Sequence, residues 1–435
     1  MIRETAPAGI ARSQWRVIIL SSLGGALEFY DFVIYSVFAQ YIGTAFFPAS
    51  DPLTSLILSF SAFAVGYLFR PLGGIVFSHF GDRYGRRRVF IIAILIMSLS
   101  TVAMGLLPTF ATWGITSSIL MVMLRLIQGF CLGGELPGAI TYVVETAPRR
   151  AGYAAGVIFF CVNSGVALAS LLSLVVHTAL LPAQVAQWGW RVGFLFGGLT
   201  GLVGFWLRLS LEETPGFKLM QHAAAKRPFI EVIRAYPVQV VIAVTAMTAT
   251  AGFNGLLFAM PAFLPRVMGY TNLIAIQAQN VCLVVLSCGL LVAAWLGDRI
   301  PRRRILGTGA FLIALLSFPF FQAAADHSVG IILLFAAAGL VASLINGPMS
   351  AIAADLFPTR IRFTGVALSF NLAFSVFSGA APLAATLLVK LTGSPVGPAY
   401  FMCGCALVAL VGSLFIGRYD GRILSEHAAA AAPQS

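Results

Sequence analysis

The sequence predicts an all-α membrane protein whose twelve transmembrane helices form two pseudo-symmetric six-helix bundles, and three observations carry that prediction. Hydrophobic residues make up 59% of the chain and charged residues only 10%, with a mean hydropathy of +0.93. A soluble domain carries roughly 25% charged residues, and a water-soluble interior of this size cannot hide so much apolar side chain. The basic residues fall in alternate loops, and short charged patterns recur at matching places in the two halves of the chain.

Runs of ~20 apolar residues, enough to cross a ~30 Å hydrocarbon core, give the elements in order. Six helices are expected near 16–42, 54–80, 89–108, 114–142, 153–180 and 191–211. After a polar stretch come six more, near 237–264, 273–297, 305–325, 329–350, 364–390 and 398–417. The first run follows Arg3, Arg12 and Arg16, contains Glu28 and Asp31, and has no small-residue cleavage site, so it reads as an uncleaved first helix. The expected organisation is an N-terminal bundle over 1–211, an interdomain linker over 212–235, and a C-terminal bundle with a short tail over 236–435.

A net charge of +12 raises the question of nucleic acid, and its distribution answers it. Arg83, Arg86, Arg87 and Arg88 stand in one loop, Arg149 and Arg150 in the next such loop, and Lys218, Lys226, Arg227 and Arg234 in the linker. Arg299, Arg302, Arg303 and Arg304, then Arg360 and Arg362, continue the set, while the intervening loops are nearly free of Lys and Arg. This is the positive-inside pattern, and it excludes a nucleic-acid surface. An even number of spans places both termini on the cytoplasmic side of the membrane.

The repeats divide the chain. Gly81-Asp82-Arg83-x-x-Arg86-Arg87-Arg88 follows the second span, and Gly297-Asp298-Arg299-x-x-Arg302-Arg303-Arg304 follows the eighth. Glu145-x-x-Pro148-x-Arg150 follows the fourth, and Asp355-x-x-Pro358-x-Arg360 follows the tenth. Equivalent motifs in two six-span units imply internal duplication, a common construction for secondary transporters.

The segment Gly81-Asp82-Arg83-Tyr84-Gly85-Arg86-Arg87 resembles the signature loop between helices 2 and 3 of the major facilitator superfamily. Leu27-Glu28-Phe29-Tyr30-Asp31-Phe32, Arg70-Pro71-Leu72-Gly73-Gly74, Arg125-x-x-Gln128-Gly129-x-x-x-Gly133-Gly134-Glu135, Trp188-Gly189-Trp190-Arg191 and Glu213-Thr214-Pro215-Gly216-Phe217 are similar to the metabolite:proton symporter family. The stretch Leu388-Val389-Lys390-Leu391-Thr392-Gly393 looks most like the citrate and tricarballylate carriers. The resemblance implies alternating-access, proton-coupled symport of a small di- or tricarboxylate across a bacterial inner membrane. A zwitterionic osmolyte carrier, or an exporter of drugs or metabolites, is the alternative on the same fold.

Ionisable residues at bilayer depth cost at least ~2.5–3.5 kcal/mol each, which makes them functional candidates. Glu28 and Asp31 lie three residues apart on one face of helix 1, and two carboxylates so placed do not readily both ionise. Asp31 is the expected proton-coupling residue with Glu28 as its partner; a permanent hydrogen-bonded pair is the structural alternative. Arg125, about midway along helix 4, cannot shed its charge, so an exchange between the helix 1 carboxylates and an anionic substrate is expected, beside the alternative of a plain helix 1–helix 4 clamp. Gln128, Asn163 and Asn254 are the further substrate candidates, each equally able to serve as an interhelical hydrogen bond. Arg70 and Glu135 read as structural as readily as functional.

Asp82, Arg83, Arg86, Glu145, Asp298 and Arg302 are the expected gate, with the loop aspartates facing helix N-termini of the other half. Glycines such as Gly133, Gly134, Gly152 and Gly156 are expected to permit close helix packing. The six cysteines and five histidines stand in no metal-ligand spacing, and no nucleotide loop or hydrolase motif occurs. The sequence thus predicts no enzyme activity, cofactor or metal; its partners are a small-molecule substrate, protons and the lipid bilayer, with the chain acting as a monomer.

Overall fold

The computed structural model describes residues 12–84, 86–147, 150–209, 228–359 and 361–419. Twelve helical stretches run through it: α1 (Arg12–Val37, continued by Ala39–Phe46), α2 (Pro52–Leu68 and Arg70–Tyr84), α3 (Arg86–Leu106), α4 (Ile115–Leu132 and Glu135–Thr146), α5 (Ala151–Ala179) and α6 (Trp190–Leu209) precede the linker. Then come α7 (Pro237–Val267), α8 (Asn272–Gly297), α9 (Arg302–Ala325), α10 (Ile331–Asp355), α11 (Arg362–Ala373, a π-turn at Phe374–Ser378, and Gly379–Thr392) and α12 (Gly397–Phe415). Among the described residues nine helices are long and apolar enough to cross a membrane, all but α1, α3 and α6. No strand occurs among them. Of the linker, only Pro228–Ala235 is described; it is a short helix with Val232 buried, packed against α7 and α11.

Within the first half α1 packs on α5 and α6, and α3 on α6 and α4; within the second α8 packs on α10, and α12 on α9 and α7. The halves meet chiefly where α5 lies on α8 and α2 on α11. Small residues make these contacts close. A Cβ on Gly129 of α4 would overlap the Gly66 carbonyl of α2, and one on Gly73 of α2 would overlap the Phe130 carbonyl of α4.

Prolines inside the helices add a second device. A proline has no N–H for the carbonyl four residues earlier, and in a membrane that carbonyl needs another donor. Pro71 leaves the Tyr67 carbonyl, which accepts from Ser375 Oγ of α11 at 2.7 Å. Pro137 leaves Gly133, whose carbonyl accepts from Asn371 Nδ2 of α11 at 2.7 Å. Pro261 leaves Leu257, whose carbonyl accepts from Gln279 Nε2 of α8 at 2.7 Å, while the same amide takes a 2.8 Å bond from Ser170 of α5. Three helices, α2, α4 and α7, are thus tied to neighbours through carbonyls that proline opened.

Candidate functional site

The α1 carboxylates are buried, Glu28 at 6% exposure and Asp31 at 3%. They face α3 and α6: together with Ser98 and Gly201 they line a small cavity there, and Ser98 Oγ lies 3.5 Å from Asp31 Oδ2 as a donor. A Cβ on Gly197 of α6 would stand 2.5 Å from Asp31 Oδ1, so α6 has a glycine where the carboxylate needs room.

Arg125 is fully buried, but its guanidinium is not on either carboxylate. Nη1 donates to the Phe32 carbonyl at 3.2 Å and to Gln128 Oε1 at 2.6 Å. Gln128 Nε2 in turn donates to Thr101 Oγ1 at 2.7 Å and to the Asp31 backbone carbonyl at 3.4 Å. The arginine is therefore tied to the α1 main chain at residues 31 and 32, and its plane is stacked among Phe32, Tyr35 and Phe63, with ring centroids 4.3, 4.5 and 5.1 Å from Cζ. Aromatic faces stabilise a desolvated cation where no anion is present, which is the physical reason that the expected carboxylate–Arg125 pair does not form here.

Arg70 is the second fully buried guanidinium, at the start of the second segment of α2. Its Cζ lies 5.3 Å from the Tyr67 ring, 5.9 Å from Phe29 and 5.6 Å from Phe370, the last belonging to α11 in the other half. Glu28 acts on it through its field. Among the described residues none of the three Arg70 nitrogens meets a hydrogen-bond acceptor of proper geometry, nor do Nε and Nη2 of Arg125. An arginine buried with open donors is costly; Arg70 lies at the junction of the halves beside Phe370, and Arg125 lies within the first bundle.

Both ends of that junction are closed. On the arginine-rich side, Asp298 accepts from the N–H groups of Gly152 and Tyr153 at 2.8 and 2.9 Å, capping the start of α5 from the other half. Arg302 holds Asp298 at 2.8 Å and also pairs with Asp355, while Arg362 reaches Glu145 across the halves at 3.1 Å. On the opposite side Gln40 Nε2 donates to Asn272 Oδ1 at 3.0 Å, Asn272 Nδ2 to Tyr41 Oη at 3.1 Å, and Tyr41 to His177 Nε2 at 2.8 Å. His177 Nδ1 donates to the Ser173 carbonyl at 2.8 Å, since that carbonyl can only accept, and with a neutral imidazole Nε2 takes the Tyr41 hydroxyl so that the chain runs in one direction. Lys390 of α11 bridges to Thr54 at 2.8 Å and Asp51 at 3.8 Å at the same end.

Comparison with known proteins fits this architecture. The family model described as Major Facilitator Superfamily matches residues 21–382. The chain belongs to the major facilitator superfamily. The proline/betaine transporter of Escherichia coli (strain K12) is 32% identical over 418 residues, covering 91% of this chain and 82% of that protein. A putative proline/betaine transporter of Staphylococcus aureus (strain MSSA476) is 32% identical over 424 residues, covering 93% and 89%. Among solved structures, a D-xylose-proton symporter is similar with a TM-score of 0.73 at 20% identity, covering 93% of this chain and 98% of that one. A proton:xylose symporter bound to 6-bromo-6-deoxy-D-glucose gives a TM-score of 0.77 at 17% identity, covering 93% and 95%.

As a secondary transporter of the major facilitator superfamily, the protein has its expected site residues in three places. Glu28, Asp31, Arg125 and Gln128 come together in the first bundle, though Gln128 spends its amide on Arg125, Thr101 and the α1 backbone. Asn254 of α7 donates to Asn346 of α10 at 3.1 Å, and its Oδ1 and the Nδ2 of Asn163 on α5 are buried without hydrogen-bond partners. Glu145, Asp298 and Arg302 lie in the closed contact on the arginine-rich side. The side chains of Asp82, Arg83 and Arg86 lie outside the described residues. Sequence reasoning missed the aromatic rings around the two arginines and the polar chain through Tyr41 and His177; for Arg70 the Arg-Pro-Leu-Gly-Gly run, where a charge precedes a helix-opening proline, was the available signal.

Proposed function

We propose that this protein is a proton-coupled symporter of a small zwitterionic osmolyte of the proline or betaine kind, working by alternating access. It sits in a bacterial cytoplasmic membrane as a monomer, with both termini and the arginine-rich face inside. The observation that carries the reading is the pair of buried guanidiniums with open N–H donors among aromatic rings, Arg70 at the junction of the halves and Arg125 within the first bundle. Such an arrangement suits both ends of a zwitterion: the arginine fork takes a carboxylate, and the faces of Tyr67, Phe370 and Phe29 take a substituted ammonium. Relatives named as proline/betaine transporters, matching over nearly the whole chain, support the same class.

The coupling runs through α1. Glu28 faces Arg70 electrostatically, while Asp31 carries the proton; a substrate carboxylate on Arg70 competes with Glu28 and favours protonation of the carboxylate pair. Because Arg125 and Gln128 are tied to the backbone at Asp31 and Phe32, a shift of α1 on proton uptake or release moves the arginine as well. Differential affinity between the two end states is what such a link must supply.

The second reading, a small organic acid, is favoured by the same two cations: two guanidiniums suit two carboxylates. Uptake by proteoliposomes under an imposed pH gradient separates them. We expect accumulation of radiolabelled proline or glycine betaine, competition by neither citrate nor succinate, and loss of uptake in Arg70→Ala. Accumulation of di- or tricarboxylates without betaine uptake reverses the assignment. Undiminished transport by both Arg70→Ala and Arg125→Ala removes the site altogether.

A further inference from the structure

The cavity beside Asp31 has a composition that substrate binding does not explain. It lies between α1, α3 and α6 and is lined by Glu28, Asp31 and Ser98 together with Gly24, Gly201 and Gly204. Its volume is about 10 Å³, the space of one water molecule. Asp31 lines it; its Oδ1 is buried with no hydrogen-bond partner among the described residues, while Oδ2 faces Ser98. The glycines keep it open: a Cβ on Gly201 would overlap Ser98 Oγ. The lining is mostly apolar, but Glu28, Asp31 and Ser98 supply the polar groups that a single water needs, and a buried carboxylate acceptor is costly to leave dry.

We infer that this cavity is a one-water proton relay between Glu28 and Asp31, so that the proton passes through the interior of the first bundle while the substrate occupies the junction of the halves. The inference rests on the symport reading above and deepens it. Glu28 is placed for both roles, because it borders the cavity and also acts on Arg70 at the substrate side. The other groups within its field are Asp31 on its own helix and the Cys131 thiol on α4; the Tyr30 hydroxyl is turned away, donating to the Gly193 carbonyl at 2.7 Å. In the transfer the O–H bond of protonated Glu28 breaks and its proton forms a bond to the water oxygen. One water O–H bond breaks in the same event, and that proton bonds to Asp31 Oδ1. One proton has moved and the water is regenerated. Two carboxylates linked in this way share a single proton more readily than either holds one alone.

Gly204→Ala tests the relay with little steric cost. Its Cβ would meet Leu27 Cδ1 at 3.4 Å and Ile94 at 3.9 Å, ordinary contacts, yet the methyl takes the water's space. Two assays on the full-length protein in proteoliposomes are compared: net uptake driven by a pH gradient, and counterflow, which needs no net proton movement. We expect Gly204→Ala to lower net uptake severalfold while counterflow persists, and Leu27→Ala/Gly204→Ala, which returns the volume, to recover net uptake. Wild-type net uptake in Gly204→Ala overturns the relay. If Gly204→Ala loses both activities, the double variant decides: recovery of net uptake supports the relay, and continued failure overturns it. Asp31→Asn separates the two levels. Loss of net uptake there with an unaffected Gly204→Ala leaves proton coupling at Asp31 standing and removes only the relay, whereas full accumulation by Asp31→Asn removes the coupling assignment itself.

Discussion

The two closures of this transporter are made of different chemistry. On the arginine-rich side five charged groups, Glu145, Asp298, Arg302, Asp355 and Arg362, interlock with the start of α5. On the opposite side the chain through Gln40, Asn272, Tyr41 and His177 holds no carboxylate or guanidinium, and the one ion pair there among the described residues, Lys390 with Asp51, is half exposed. The charged contact is partly desolvated, so removing one member leaves the others unpaired at high cost. Each neutral hydrogen bond contributes only ~0.5–1.5 kcal/mol net. The difference implies an asymmetric cycle in which the far side yields first and the arginine-rich side sets the main barrier.

The largest effect that can break this comparison is at Arg302, which serves two aspartates. Arg302→Ala should destabilise the closed arginine-rich face by about 3 kcal/mol, in the range for breaking a desolvated pair. Thiol labelling of cysteines placed in α5 and α8 from that side should then rise by a factor of ten or more on the order expected from this energy, with uptake correspondingly reduced. Equal labelling in wild type and variant contradicts the assignment. Asp298→Asn is the next step down: it keeps an acceptor for the α5 N–H groups but drops the charge that faces Arg302 and the helix dipole. A loss of about 1 kcal/mol is expected, smaller than for Arg302 and partly reproduced in the parent protein by high salt.

On the neutral side, Tyr41→Phe removes the one hydroxyl that joins Asn272 to His177. The expected shift toward the outward-open state is about 1 kcal/mol, read as labelling from the far side only, and insensitive to salt. If Tyr41→Phe matches Arg302→Ala in size, the asymmetry is absent and the two closures are energetically alike.

How much of this could be read from the chain depends on sequence distance. The bundle followed from hydropathy, and Asp298 was legible because its motif repeats that of Asp82 and a loop aspartate opposite a helix start has an evident use. Gly152 was read as a packing residue; in the structure it clears the approach of Asp298, whose Oδ1 would lie 2.6 Å from a Cβ there. Arg125 was expected beside the helix 1 carboxylates and has other neighbours, because hydropathy does not report that Phe32, Tyr35 and Phe63 converge on one guanidinium. The chain at the far side joins residues 136 to 232 positions apart and contains no repeated motif, so nothing local announces it. The proline-freed carbonyls of Tyr67 and Gly133 could have been foreseen from Pro71 and Pro137, whereas their partners Ser375 and Asn371 could not.

The smallest expected effect concerns Asp51, which caps the start of α2 and faces Lys390. The Thr54 hydroxyl first, then the Leu53 amide and more weakly Lys390, hold its carboxyl below the usual range. A depressed folded value means that the contribution to closure is fully present above the unfolded carboxylate value, near 3.9, and is lost only as the pH falls through the lower folded one. Between pH 5 and 8 this pair must therefore contribute a constant amount, and Lys390→Ala, at a half-exposed position where screening is strong, should change far-side labelling less than Tyr41→Phe at every pH in that interval. A Lys390→Ala effect that varies between pH 5 and 8 would contradict the Asp51 assignment. A pH dependence of labelling that survives in Lys390→Ala but disappears in His177→Phe would place the titrating group in the neutral chain, and so make the far-side closure the one that responds to protons.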